Sequence, residues 1–179
     1  LDMRRELRRH LASFEGTRLL VTHDPLEAMT LAGRIVILEE GRVVQGGAPQ
    51  DILERPRSRY VADLVGRNLL RGTGEPGRVV LDSGAALVAP AAPRGDVFAS
   101  VHPHSVALHR RRPEGTPRNV WSGRIGGLDP EGERVRVKVE GAIPIVAEVT
   151  PAAVEELRLS EGGEVWVSVK ATEIEVYPA

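Results

Sequence analysis

His23 stands where a side chain of this chain could reach a ligand. It follows the short apolar run Leu19-Leu20-Val21, which predicts a buried strand because it is too brief for a helix and carries a β-branched residue into a polar pair. Beyond it, Asp24 can cap a helix, Pro25 suits the first helical position where its missing N–H costs nothing, and Glu27 falls at the third position of a capping box. His23 is therefore expected on the hinge between a strand and a helix. In open α/β sheets ligands bind beyond the carboxyl ends of the strands, so an imidazole there can face a bound phosphate. The same position also suits a purely structural histidine. Two more histidines, His102 and His104, stand two apart in Val101-His102-Pro103-His104 and could ligate a metal, but no third convergent ligand accompanies them. The basic run Arg110-Arg111-Arg112 before Pro113 reads as a solvated loop.

The elements that must position these residues fall into two unlike parts. In the first, Met3, Leu7, Leu11 and Phe14 recur at helical spacing from Asp2 to Phe14. A strand from Arg18 to Thr22, a helix from Pro25 to Ala32 and a strand from Ile35 to Leu38 follow in β-α-β order, an α/β layer. Glu39-Glu40-Gly41 turns the chain into a strand from Arg42 to Gln45, and two short helices, Pro49 to Glu54 and Ser58 to Val65, are separated by Arg55-Pro56. From residue 69 onward short β-rich runs alternate with glycine and proline: Arg78 to Leu81, Ala86 to Val88, Val97 to Val101, Val106 to His109, Trp121 to Ile125, Val135 to Val139, Ile145 to Val149, Val165 to Val169 and Glu173 to Val176. That spacing predicts a small barrel, interrupted by one helix from Pro151 to Leu157 with Thr150 as its cap. Strict alternation in Glu133-Arg134-Val135-Arg136-Val137-Lys138-Val139 puts the valines on one face of a half-buried strand.

Composition narrows the function classes. A length of 179 residues suits one domain or two small ones, and 41% hydrophobic residues suffice for a core. With no cysteine, disulfides and thiolate metal sites are excluded. No apolar run approaches the roughly 20 residues that span a bilayer. With 24 basic and 25 acidic residues and only 3% aromatics, no charged or stacking face is present to hold nucleic acid, which weakens the reading of the barrel as a single-strand binder.

The run Leu-Leu-Val-Thr-His-Asp-Pro-Leu-Glu-Ala-Met, then Gly33-Arg34-Ile35-Val36-Ile37-Leu38, Gly41-Arg42-Val43-Val44-Gln45-Gly46-Gly47 and Ala48-Pro49-Gln50-Asp51-Ile52-Leu53, closely resembles the switch-histidine region of the ATP-binding subunits of ABC importers over residues 17 to 66. The resemblance implies that His23 contacts the γ-phosphate of ATP and positions the attacking water. Leu1-Asp2 resemble the pair that ends the family's D-loop, which gives Asp2 a role at the nucleotide across a dimer and makes the start of the chain look truncated. No G-x-x-x-x-G-K-[ST] loop, signature motif or Walker B pair is found in the chain, so the chain alone is expected neither to hold Mg²⁺-ATP tightly nor to hydrolyse it.

The second part resembles the TOBE domains appended to importer ATPases. Val101-His102-Pro103-His104 stands where that domain usually has Arg-Pro-Glu, with two histidines in place of charged residues. Thr116-Pro117-Arg118-Asn119 resembles the Ser-Ala-Arg-Asn signature of molbindin-like barrels, and Lys170-Ala171-Thr172 their Lys-Ala-Ser/Thr segment. This implies an oxyanion site for molybdate or tungstate at Thr116, Arg118, Asn119, Lys170 and Thr172, although Pro117 removes one N–H donor. The expected fold is an α/β fragment of a P-loop NTPase domain over residues 1–67 followed by an all-β OB-like TOBE barrel over residues 68–179. The expected function is the C-terminal portion of an ABC importer ATPase for an oxyanion such as molybdate, working as a homodimer with transmembrane permease subunits, cytoplasmic and peripheral to the membrane. The alternatives are an intracellular oxyanion sensor or store, and an importer ATPase for sugar, polyamine, sulfate or iron.

Overall fold

The computed structural model describes residues 6, 7, 9, 10 and 13–179. The chain divides into two compact units, Leu1–Val65 and Gly66–Ala179.

In the first unit residues 6, 7, 9, 10 and 13 are helical, and Met3 and Leu11 of the expected stripe lie outside the described residues. Helix α1 (Pro25–Leu31) is followed by the hairpin β1 (Ile35–Glu39) and β2 (Arg42–Gly47), then by α2 (Pro49–Glu54) and α3 (Arg59–Leu64). Glu40 and Gly41 both take positive φ, 49° and 76°, which gives the hairpin turn the twist its strands require. Ile35, Ile37, Ile52 and Val61 form a small core with Met29, Val44 and Leu64 packed on it. Gln45 is buried and ties the Pro56 loop to β2: its Nε2 donates to the Arg55 carbonyl (2.9 Å) and its Oε1 accepts from the Arg57 N–H (2.8 Å).

The expected strand from Arg18 to Thr22 does not form. Leu19 and Val21 are 90% and 88% exposed, and residues 17–22 take no regular structure. The physical reason is pairing: among the described residues this unit holds one sheet, the antiparallel pair of β1 and β2, which gives residues 19–21 no ladder. A β-α-β layer is accordingly absent among the described residues. The outward residues of β1, Val36 and Leu38, are also exposed, although strands of a covered parallel sheet would bury both faces.

The second unit contains β3 (Asn68–Glu75), β4 (Arg78–Leu81), β5 (Ala86–Val88), β6 (Gly95–Val101), β7 (Ala107–His109), β8 (Asn119–Glu131), β9 (Arg134–Glu140), β10 (Ile145–Val149), β11 (Glu164–Val169) and β12 (Ile174–Pro178). Helix α4 (Pro151–Leu157) and single 3-10 turns at Pro103–Ser105 and Ala171–Glu173 complete it. The strands pair into two five-stranded antiparallel sheets, in the orders β12-β6-β3-β4-β5 and β7-β11-β8-β9-β10. Both contribute to one core. Val79, Val97 and Ala99 come from the first sheet and Val137, Ala147 and Val167 from the second, all fully buried. Each such valine contributes roughly 1.5–3 kcal/mol of burial. The alternation in β9 holds, with Val135, Val137 and Val139 all inside.

Strand β3 precedes Arg78 to Leu81, the first expected run of this unit, and is not among the expected strands. The fold needs Gly72: a Cβ there would stand 2.2 Å from the Val80 carbonyl oxygen of the neighbouring strand. Strand β8 runs past its expected end at Ile125 because its register shifts between Ile125 and Gly127, a bulge that bends the strand without ending it.

Candidate functional site

His23 lies in a bend just before the α1 cap, is exposed, and makes no hydrogen bond to the described residues. The cap itself forms as its spacing predicts. Asp24 Oδ1 accepts from the N–H groups of Leu26 (2.9 Å) and Glu27 (3.2 Å). The Asp24 N–H, however, donates to Thr22 Oγ1 (3.0 Å), so the reciprocal half of the capping box is filled by Thr22 in place of Glu27. Thr22, His23 and Asp24 thus form a tight local turn that presents the imidazole outward. Asp2 lies outside the described residues.

The oxyanion candidates come together at one end of β8 and β11. Asn119 stands opposite Val169 in that antiparallel pair, so Arg118 and Lys170, one residue further on each strand, are neighbours. Thr172 follows in the 3-10 turn Ala171–Glu173, and Thr116, Arg118, Lys170 and Thr172 are all exposed. Two cations and two hydroxyl donors on one rim can hold a tetrahedral anion by charge-assisted hydrogen bonds.

Asn119 departs from its expected part. It is only 4% exposed, its Oδ1 accepts from the Val88 N–H (2.6 Å) and its Nδ2 donates to the Val88 carbonyl (3.0 Å). Both ends of the amide bond the edge strand β5, so Asn119 stitches the two sheets together beside Arg118, with one of its two amide N–H groups engaged. Asn68, which sequence reasoning passed over, does the same on the other side: it donates to the Val146 carbonyl (2.8 Å) and accepts from the Val146 N–H (2.7 Å) of edge strand β10. The signal was available in the repeated Arg-Asn dipeptides Arg67-Asn68 and Arg118-Asn119.

The rings of His102 and His104 stack with centroids 3.8 Å apart, and the His104 N–H points at His102 Nδ1 (3.4 Å). Burial, then the neighbouring His104 and Arg67, holds the His102 pKa below the usual histidine value. Burial also lowers that of His109, whose Nε2 lies 2.9 Å from Ser168 Oγ. The basic loop is less free than expected, since the Arg112 guanidinium sits 5.8 Å from the centre of the Trp166 ring.

Residues 115–176 match the TOBE domain family. The molybdenum import ATP-binding protein ModC of Mycobacterium tuberculosis is 37% identical over 170 residues, which covers 90% of this chain and 46% of the relative. The molybdate/tungstate import ATP-binding protein WtpC of Pyrococcus horikoshii is 31% identical over 176 residues, covering 97% of this chain and 51% of the relative. The chain therefore spans about half the length of these curated relatives. Among solved structures, that of the cytoplasmic molybdate-binding protein ModG with molybdate bound aligns with a TM-score of 0.55 at 22% identity, covering 63% of this chain and 96% of that one. At that identity the likeness concerns the fold.

Proposed function

From a chain that carries a TOBE domain and is a homologue of the molybdenum and molybdate/tungstate import ATP-binding proteins over 90% or more of its length, we propose the C-terminal portion of the ATP-hydrolysing subunit of an ABC importer for an oxyanion such as molybdate. The observation that carries this reading is continuity, because the relationship runs through both units and not through the TOBE domain alone. In this reading residues 1–67 complete a P-loop nucleotide-binding domain. The exposed apolar residues Leu19, Val21, Val36 and Leu38 then belong to a sheet whose remaining strands, phosphate loop and magnesium ligands lie in the other half of the longer protein. His23 acts at the γ-phosphate, Asp2 communicates across a homodimer, and permease subunits hold the assembly at the inner face of the membrane. No helix among the described residues is long and apolar enough to cross a bilayer. The reading frame upstream of Leu1 should encode G-x-x-x-x-G-K-[ST]; a start codon there without that loop would revive the alternative of an oxyanion sensor or store.

Taken by itself the 179-residue chain is expected to show neither tight Mg²⁺-ATP binding nor turnover. Calorimetric titration checks this, and micromolar affinity accompanied by hydrolysis would overturn the division of labour between the two halves.

The TOBE unit is expected to dimerise and to bind molybdate or tungstate in preference to sulfate through Thr116, Arg118, Lys170 and Thr172. A rim whose donors are held apart suits the larger anion, while the smaller one leaves donors unpaired at about 1–3 kcal/mol each. Lys170→Ala should weaken molybdate binding at neutral pH by roughly tenfold or more, the worth of one charge-assisted hydrogen bond. Equal weak binding of both anions, unmoved by the substitution, would reduce the unit to a regulatory or dimerisation module and turn the cargo towards sugar, polyamine, sulfate or iron.

A further inference from the structure

The second unit is built twice. Strands β3, β4, β5 and β6 are ordered in the first sheet as β8, β9, β10 and β11 are in the second, and the closing strands are exchanged: β12 joins β6, while β7 joins β11. Residues follow the strands. Asn68 faces Val101, the last residue of β6, as Asn119 faces Val169, the last of β11, and each asparagine clamps the edge strand of the opposite sheet. Four residues on, Gly72 and Gly123 are both pressed by a neighbouring carbonyl, at 2.2 Å and 2.7 Å from where a Cβ would stand. By the same correspondence Arg67 matches Arg118, His102 matches Lys170 and His104 matches Thr172, each latter pair riding a 3-10 turn.

We infer that the end of the first sheet, where β3 meets β6, carries a second oxyanion site made by Arg67, His102 and His104, and that it fills only as His102 takes up a proton. It shares the ligand class proposed for Arg118 and Lys170, and the two sites fail separately. Enclosure favours it: the Arg67 side chain is 17% exposed, whereas Arg118 is open to solvent. Two residues before His102, the Ser100 hydroxyl of β6 is fully buried without a hydrogen-bond partner among the described residues.

The surrounding charges set the sign. Arg67 lies 3.6 Å from Glu175 of β12, Arg134 of β9 is paired with Glu148 of β10, and Glu173 accepts from the Ser105 hydroxyl (2.8 Å). Those fixed groups sum to a single negative charge, so with His102 neutral this end of the sheet repels an anion. A proton on His102 cancels that charge. The stacked His104 ring opposes protonation of His102, and a bound dianion relieves the opposition. His102, already held below its usual pKa, is uncharged at neutral pH, so binding must draw in protons and tighten as pH falls, by up to about tenfold per pH unit for each proton taken up.

Sulfate is the probe, because it keeps both charges across this range. Titrated calorimetrically into the intact chain at fixed ionic strength, it should bind at least about tenfold more tightly at about pH 6 than at about pH 8, with net proton uptake revealed by buffers of different ionisation enthalpy. The double substitution His102→Gln, His104→Gln should remove that gain, and Lys170→Ala should leave it. In the unaltered chain, nuclear magnetic resonance should show sulfate raising the titration midpoint of His102. Binding that ignores pH, a gain that survives the double substitution, or a His102 midpoint unmoved by sulfate would each overturn the inference. A pH-8 component untouched by Lys170→Ala would instead count against the Arg118–Lys170 site alone.

Discussion

His23→Ala, introduced into a longer protein that also supplies the phosphate loop, is expected to lower ATP turnover on the order of a hundredfold or more, while nucleotide affinity changes by no more than about threefold. In the proposed assembly the imidazole meets only the transferred phosphate and the attacking water, whereas affinity rests on the phosphate loop and magnesium. Phosphoryl transfer depends mainly on positioning and charge stabilisation, so a histidine that orients groups without accepting a proton still controls the rate. The local structure suits that part: the turn of Thr22, His23 and Asp24 is pinned by the Asp24 N–H on Thr22 and by the cap on α1, and His23 itself is left uncommitted. Single-turnover hydrolysis and equilibrium nucleotide binding, measured on the same preparations, decide the matter. Hydrolysis equal to the parent's would return His23 to a structural part, and a parallel loss of affinity would place it on the binding surface.

Asn119→Ala is expected to destabilise the second unit by roughly 2–4 kcal/mol. The substitution removes both bonds to Val88, opens a gap at a site only 4% exposed, and frees edge strand β5 from the opposite sheet. Thr116→Ala, on the exposed rim, should cost less than about 0.5 kcal/mol. Both tryptophans, Trp121 and Trp166, belong to the second unit, so their fluorescence during urea unfolding of the whole chain reports on that unit selectively. A loss below about 1 kcal/mol for Asn119→Ala would show that the clamp is dispensable.

Local chemistry was legible wherever a few adjacent residues settle the outcome. Asp24 and Thr150 each accept an N–H of the helix they precede, as their positions before Pro25 and Pro151 predict, and Ser58, read as the first helical residue, proves to be a third such cap. The valine alternation of β9 and the hairpin turn at Glu40-Gly41 were equally readable. Failures came where a residue's part depends on distant chain. Leu19-Leu20-Val21 has the composition of a strand, yet a strand exists only with a neighbour, and the described residues offer it none. Strand β3 was missed, and the carbonyl that demands glycine at position 72 approaches from another strand.

By itself, then, the sequence determined where helices start and which strands alternate, since capping and side-chain period act within one turn or one strand. Only the tertiary structure decided that Asn119 clamps a strand of the opposite sheet, that Asn68 mirrors it, and that His102 and His104 occupy the place that Lys170 and Thr172 hold in the other half. Those bonds join residues 31 and 78 positions apart. An amide's donor and acceptor are equally suited to an anion, to water or to a backbone, and which one they meet is settled only when the sheets that carry them have closed around a common core.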